Sequence, residues 1–435
     1  MPIGFIDKVR ITARYRRRYQ ARYSLSELAG SFLNEVIPQV HKCMGKWNIY
    51  FTRNYKYMSM SREELERLLA EKKRKDLSYS RILSSMCTYP HEVAVYAHKL
   101  FIESNLGDSG LFQGTKEMED EVIQTIGALL GDENACGYIT TGGTESNIQA
   151  IRAVRNRKRK EGLGVSDMNI IVPETAHFSF DKIADILGIE VRKAGLDPQL
   201  RVNPDSVQEF MDDGTICLVG IAGTTEFGQV DPIRELAEIA KEKNVFLHVD
   251  AAFGGFVIPF LPDRARYQFD FSLEGVSSIS IDPHKMGMST IPAGCLLFRE
   301  ESYLEELAVP TPYLTTKEQY SLIGTRSGAS AAATFAVLKY LGSEGIKTIV
   351  DECMRLTRFL VDRAREMGIE PVIEPVMNVV TLQIEDVDRV ASALRAKGWG
   401  VSTTRSPRSL RLVIMPHVTE DMLRRFMEDL SEVVN

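Results

Sequence analysis

Five short apolar runs, at 169–172, 189–192, 216–222, 245–250 and 277–281, recur along the middle of this chain with helix-length segments between them. Short, mainly apolar runs such as 216–222 suit buried strands, and the alternating run at 277–281 also reads as a strand. One of the intervening segments opens at Asp231-Pro232 and places Ile233, Leu236, Ala237 and Ala240 on a single helical face. Strands alternating with such helices predict a doubly wound, mostly parallel sheet. A further run at 293–298 follows too closely for a crossover helix and is expected to be an antiparallel strand. In open sheets of this kind ligands bind beyond the carboxyl ends of the strands, so those ends carry the functional reading.

Three strand ends are chemically distinctive. The run SISIDPHKMGM (278–288) delivers the pair His284-Lys285. A lysine at the end of a buried strand is expected to have its pKa lowered by desolvation, which makes it a good amine for a Schiff base; a solvated loop is the plainer reading of the same dipeptide. The run NVFLHVDAA (244–252) ends in Asp250, with the small Ala252 two residues on. A carboxylate there suits a pyridine-type ring nitrogen that must stay protonated, although a helix cap would also use one. In YITTGGTESN (138–147) a strand runs into two glycines and then a helix near Thr144, which is an anion seat. Lysine, carboxylate and phosphate seat are together the requirements of pyridoxal phosphate.

These motifs, with SSMCTYPHEVAVYAHKLF, NLGDSGLFQGTKEMEDEV, GYITTGGTESNIQAIRA, SISIDPHKMGMSTIPAG and GTRSGAS, resemble those of the group II pyridoxal-phosphate-dependent amino-acid decarboxylases. The likeness is closest to the archaeal L-tyrosine/L-aspartate decarboxylase branch and covers about residues 60 to 435. It implies the fold-type I transferase fold with a smaller C-terminal α/β domain, and a homodimer with active sites at its interface. By resemblance, Lys285 holds the cofactor, Asp250 pairs with its ring nitrogen, and His177 lies on the ring. Gly143 and Thr144 bind phosphate, His284 lies near phosphate and substrate, and Thr224 touches the ring face or its hydroxyl. Tyr313 corresponds to a mobile tyrosine that reprotonates the product, and Thr325 with Arg326 reaches a neighbouring subunit's phosphate. His177 also reads as a capping residue, Thr224 as a turn residue and Tyr313 as packing. Asp282, an acid beside a phosphate, is left out of the phosphate set. Cys87, Thr88, Pro90, His91, Leu111 and Phe112 are pocket neighbours by resemblance or ordinary packing residues, and Gln113 stands where many relatives have proline.

The implied reaction is α-decarboxylation of an L-amino acid, tyrosine to tyramine for methanofuran or aspartate to β-alanine for coenzyme A, with a slight lean to tyrosine. Two alternatives stay open: a carbon–carbon lyase similar to the sphingosine-phosphate lyases, and a protein of this fold kept for binding. The expected domains are a basic extension (1–57), a wrapping segment (58–114), a large cofactor domain (115–330) and a helical region with a small C-terminal domain (331–435).

Composition supports a cytoplasmic globular protein: 44% hydrophobic and 26% charged residues, no run long enough to span a membrane, and six cysteines without C-x-x-C spacing. The histidines show no metal-ligand spacing, and a net charge of −6 gives no reason to expect nucleic-acid binding by the whole chain. The exception is the first 57 residues, with 11 Lys+Arg against 3 Asp+Glu and the stretch RYRRRYQARY (14–23), whose composition suits an anionic surface or an RNA contact. This segment is expected to lie outside the enzyme fold, because a capping box at Ser61–Glu64 opens a helix where the family-like sequence begins.

Overall fold

The computed structural model describes residues 59–434, so the segment 1–57 and its basic stretch lie outside the described residues. The chain divides into two units, 1–73 and 74–435. In the first, helix α1 (Arg62–Lys73) opens on the expected capping box. Ser61 Oγ accepts from the Glu64 N–H at 3.1 Å, and Glu64 Oε2 accepts from the Ser61 N–H at 2.8 Å.

The second unit begins with α2 (Glu92–Leu100) and α3 (Gln113–Leu129) and then alternates. The order is β1 (Cys136–Thr140), α4 (Gly143–Lys160), β2 (Asn169–Pro173), α5 (Ser179–Leu187), β3 (Glu190–Ala194), β4 (Thr215–Ile221), α6 (Ile233–Lys243), β5 (Phe246–Asp250), β6 (Ser278–Ile281) and β7 (Gly294–Phe298). These strands form one seven-stranded sheet in the order β1-β7-β6-β5-β4-β2-β3. All run parallel except β7, which is antiparallel to both β1 and β6. The expected doubly wound sheet, with its one antiparallel strand, is therefore present.

Strands β2, β4, β5, β6 and β7 are buried along their whole length, because a core lies on each face of the sheet. Leu218 and Leu247 enter the core shared with α6, while Val219 and Phe246 enter the opposite core, shared with α4 and α5. Burying a side chain of this size contributes about 1.5–3 kcal/mol, so the sheet is rigid where the site needs rigid strand ends.

Beyond β7 a short ladder pairs Val309–Pro310 with Glu318–Gln319. The helical stretch α7 (Gly328–Glu366) follows, capped by Ser327 and broken at Gly342, whose φ of +57° no helix interior adopts. A small antiparallel sheet closes the chain: β8 (Val379–Leu382), α8 (Val387–Ala396), β9 (Ser402–Thr403), β10 (Leu410–Val413) and α9 (Glu420–Val434), with β10 central. It has its own core around Trp399, Phe426 and Leu430. Among the described residues no helix is long and apolar enough to cross a membrane, and no His/Cys/Asp/Glu group could hold a metal.

Candidate active site

The carboxyl ends of β1, β4, β5 and β6 converge on a cavity of about 280 Å³, at the small end of ligand-site sizes and so suited to one small molecule. Its floor is the turn from β1 into α4. Gly142 adopts φ +143°, a conformation closed to residues with a Cβ, which lets the chain turn into the helix at Gly143. A Cβ at Gly143 would come 3.1 Å from the Ala252 methyl and 3.3 Å from Asp282 Oδ2, so a larger residue there would crowd both side chains. Thr144 lines the same wall, at the positive end of an 18-residue helix. Glu145 caps that turn, its Oε2 accepting from the Thr141 N–H and hydroxyl at 2.9 and 2.7 Å.

Asp250 closes β5 and is 7% exposed. Its Oδ1 accepts from the Ala252 N–H at 3.1 Å and the Ser280 hydroxyl at 3.3 Å, and its Oδ2 accepts from the Asn147 amide at 2.8 Å. Oδ2 accepts a single hydrogen bond and so keeps acceptor capacity in a residue that lines the cavity, which fits a protonated ring nitrogen.

Lys285 and His284 follow β6. Lys285 Nζ lies 3.1 Å from Asp282 Oδ2. The lowered lysine pKa expected from burial is not what forms: burial does disfavour the ammonium, but Asp282 and then Asp250 outweigh it and hold the pKa above the usual lysine value. A hydrogen bond between His284 Nδ1 and the Ala293 carbonyl fixes that ring, whose Nε2 is 3.8 Å from Asp282. Asp282, 2% exposed, thus faces the Lys285 amine and the His284 ring, although its Oδ1 has no hydrogen-bond partner.

His177 projects from the loop before α5. Its Nδ1 accepts from the Ser179 N–H at 3.2 Å, so the ring caps the helix and lines the cavity at once. Burial pushes its pKa down against the opposing pull of Asp250, which favours a neutral ring that can lie flat against another ring.

A lysine, a ring-nitrogen carboxylate and a helix-start phosphate seat around one cavity fit pyridoxal phosphate, and residues 114–384 match the pyridoxal-dependent decarboxylase conserved domain. The chain belongs to that family. This decarboxylase is 56% identical over 388 residues to a Methanosarcina barkeri protein described as a probable L-tyrosine/L-aspartate decarboxylase, a match covering 86% of this chain and 98% of that one. It is 54% identical to a probable L-aspartate decarboxylase of Archaeoglobus fulgidus, over 83% of this chain and 96% of the relative. Among solved structures it resembles a Burkholderia pseudomallei sphingosine-1-phosphate lyase, with TM-score 0.79, 30% identity, and 88% and 92% of the two chains covered. The fold is also that of a Lactobacillus brevis glutamate decarboxylase, with TM-score 0.80, 24% identity, and 90% and 95% covered.

Of the residues singled out from the sequence, Lys285, Asp250, His177, Gly143, Thr144, Ala252 and His284 all line the decarboxylase's cavity. Three do not. Thr224 is fully buried, its hydroxyl accepting from the Gln229 N–H at 3.0 Å, so it holds the turn while Gly223 and Thr225 face the cavity. Tyr313 is 85% exposed on the surface loop, and Thr325 is exposed as well. Arg326 is tied down within its own chain. Its Nη1 and Nη2 are held by both oxygens of Glu119 and by the Ile139 and Leu106 carbonyls, so four of its five N–H groups are committed inside the fold. Sequence reasoning missed Asn147, one helical turn past Gly143, and Glu145. The available signal was a polar residue on the first turn of a helix whose start lies at a ligand site.

Proposed function

We propose that the enzyme removes the α-carboxylate of L-tyrosine, giving tyramine, or of L-aspartate, giving β-alanine. The observation that carries this reading is the meeting of Lys285, Asp250, His177 and the Gly143 turn around one cavity, in a chain whose relatives are described with those substrates. Pyridoxal phosphate, when bound, supplies an electron sink for the pair left at the α-carbon when CO2 departs. Lys285 holds the cofactor, Asp250 keeps its ring nitrogen protonated, His177 covers its face, and the Gly143 and Thr144 N–H groups take its phosphate. His284, fixed through Ala293, lies beside that anion. Cavity walls that exclude water favour conversion of an anionic carboxylate to neutral CO2. Tyr313 returns the proton to the α-carbon. Being on the surface and away from its own cavity, it suits a homodimer in which it serves the neighbouring copy.

The test is product formation with tyrosine, aspartate and glutamate side by side, with Lys285→Ala as control. Tyramine or β-alanine formed only with the intact lysine supports the reading. No CO2 from any of the three by cofactor-loaded protein refutes it. The likeness to a sphingosine-1-phosphate lyase favours one second reading, carbon–carbon cleavage of a phosphorylated amino alcohol, and such a substrate belongs in the same assay.

A further inference from the structure

Behind Asp250 lies a chain of buried polar groups that the proposed chemistry does not yet use. His248 is fully buried two residues before Asp250, so the period of a strand puts both side chains on one face of β5. In the parallel register with β6, His248 pairs with Ser278 and Asp250 with Ser280, so two serines stand opposite the two polar residues. Asn147 reaches this face from α4. Its amide nitrogen donates to Asp250 Oδ2 at 2.8 Å and to Ser179 Oγ at 3.1 Å. His248 Nε2 lies 3.0 Å from Asn147 Oδ1, and His248 Nδ1 lies 2.8 Å from Ser278 Oγ.

The direction of every bond follows from one constraint. An ionised carboxylate only accepts, so the Asn147 amide must turn its nitrogen toward Asp250 and its oxygen toward His248. An amide oxygen also only accepts, so His248 Nε2 carries the hydrogen. In a neutral imidazole Nδ1 is then the acceptor, and the Ser278 hydroxyl donates to it. Each group has one role and none can reverse without orphaning a buried neighbour.

We propose that Ser278, His248 and Asn147 form a one-way hydrogen-bond relay that positions the Asp250 carboxylate for the cofactor's ring nitrogen. Asn147 touches Asp250 directly, while His248 and Ser278 act through it as positioning residues. Without the His248 hydrogen the amide is free to flip and turn its oxygen on Asp250, which repels the carboxylate from the place the ring nitrogen needs. The inference rests on the pyridoxal-phosphate reading above.

The experiment measures pyridoxal phosphate affinity and the visible absorbance of the lysine-bound cofactor in full-length wild type, His248→Leu, His248→Gln and Ser278→Ala, with circular dichroism for folding. Glutamine can present an amide N–H where Nε2–H stood, so it restores the relay without the ring. The expected result is a dissociation constant raised at least tenfold in His248→Leu, with a weakened visible band, as outer-shell changes elsewhere cause. His248→Gln stays within about threefold of wild type, and Ser278→Ala falls between the two. Equal affinity in wild type and His248→Leu overturns the proposal. So does a folded His248→Gln as weak as His248→Leu, since packing alone would then explain the loss. Unchanged affinity in Ser278→Ala, the variant least disruptive to folding, overturns the relay as stated. Wild type that binds no cofactor defeats the functional reading instead, which separates the two failures.

Discussion

Replacing Arg326 with methionine keeps much of its length and removes its charge, and the structure gives the cost. Glu119 is 1% exposed, and besides Arg326 it has one further hydrogen bond, accepted from the Ile139 N–H at 3.0 Å. Without the guanidinium its charge is buried and uncompensated, and the Ile139 and Leu106 carbonyls lose a donor each. Breaking a buried pair on one side costs about 3–5 kcal/mol. Melting of cofactor-free protein, chosen so that ligand binding does not contribute, should fall by roughly 3–6 °C. Arg326→Lys should fall between, because an ammonium keeps the charge and loses the fork that reaches both oxygens and the carbonyls. Arg326→Met combined with Glu119→Leu should recover most of the loss, since an apolar pair leaves no orphaned charge. An unchanged melting point in Arg326→Met, together with a collapse in cofactor affinity, would refute this reasoning and return Arg326 to the phosphate-binding role that the family resemblance implies.

Two further outcomes are expected. Burial pushes the His248 pKa down to about 4, so the unfolded ring takes up a proton near its ordinary 6.5 while the folded ring does not. Stability is full above about pH 6.5 and falls as pH drops toward 4, by up to about 3 kcal/mol, and denaturant titration should show His248→Gln losing correspondingly less across that window. Tyr313→Phe should leave the melting point within about 0.5 kcal/mol of stability because the ring is exposed. It should lower product formation at least tenfold with cofactor affinity unchanged, and undiminished turnover would remove the tyrosine from the proton step.

The sheet and most of the cavity were legible because both are local in sequence. A strand buried on two faces is mostly apolar, as 216–222 is, and a ligand site at strand ends places Asp250, Lys285 and Gly143 next to recognisable runs. What escaped was long-range or depended on a single-residue phase. Arg326 meets Glu119 from 207 positions away, and no local pattern announces that pairing. Thr224 and Thr225 are neighbours in an irregular turn, where no period decides which of them faces the cavity. His248 was within reach, since alternation on β5 already places it on the face of Asp250, but a histidine inside an apolar run does not reveal the amide it meets. Ser402–Thr403 is too short for any periodicity to show.

The strand that carries the lysine loop and the strand that carries the glycine turn never touch, because β7 runs between them. Thr140 of β1 pairs with Gly294, and Ile281 of β6 pairs with the adjacent Cys295. Two strand spacings, about 10 Å, therefore set the separation of the two anchors. A Cβ at Gly294 would come within 2.5 Å of Gly142 Cα and 2.8 Å of Asp282 Oδ1, so the ends of both loops close over a position with no side chain. β7 acts as a ruler: a slip of one residue along it would shift one anchor against the other by about 3.4 Å, more than a hydrogen bond tolerates. Distance in this site is thus measured out by a strand that contributes no side chain to the cavity wall.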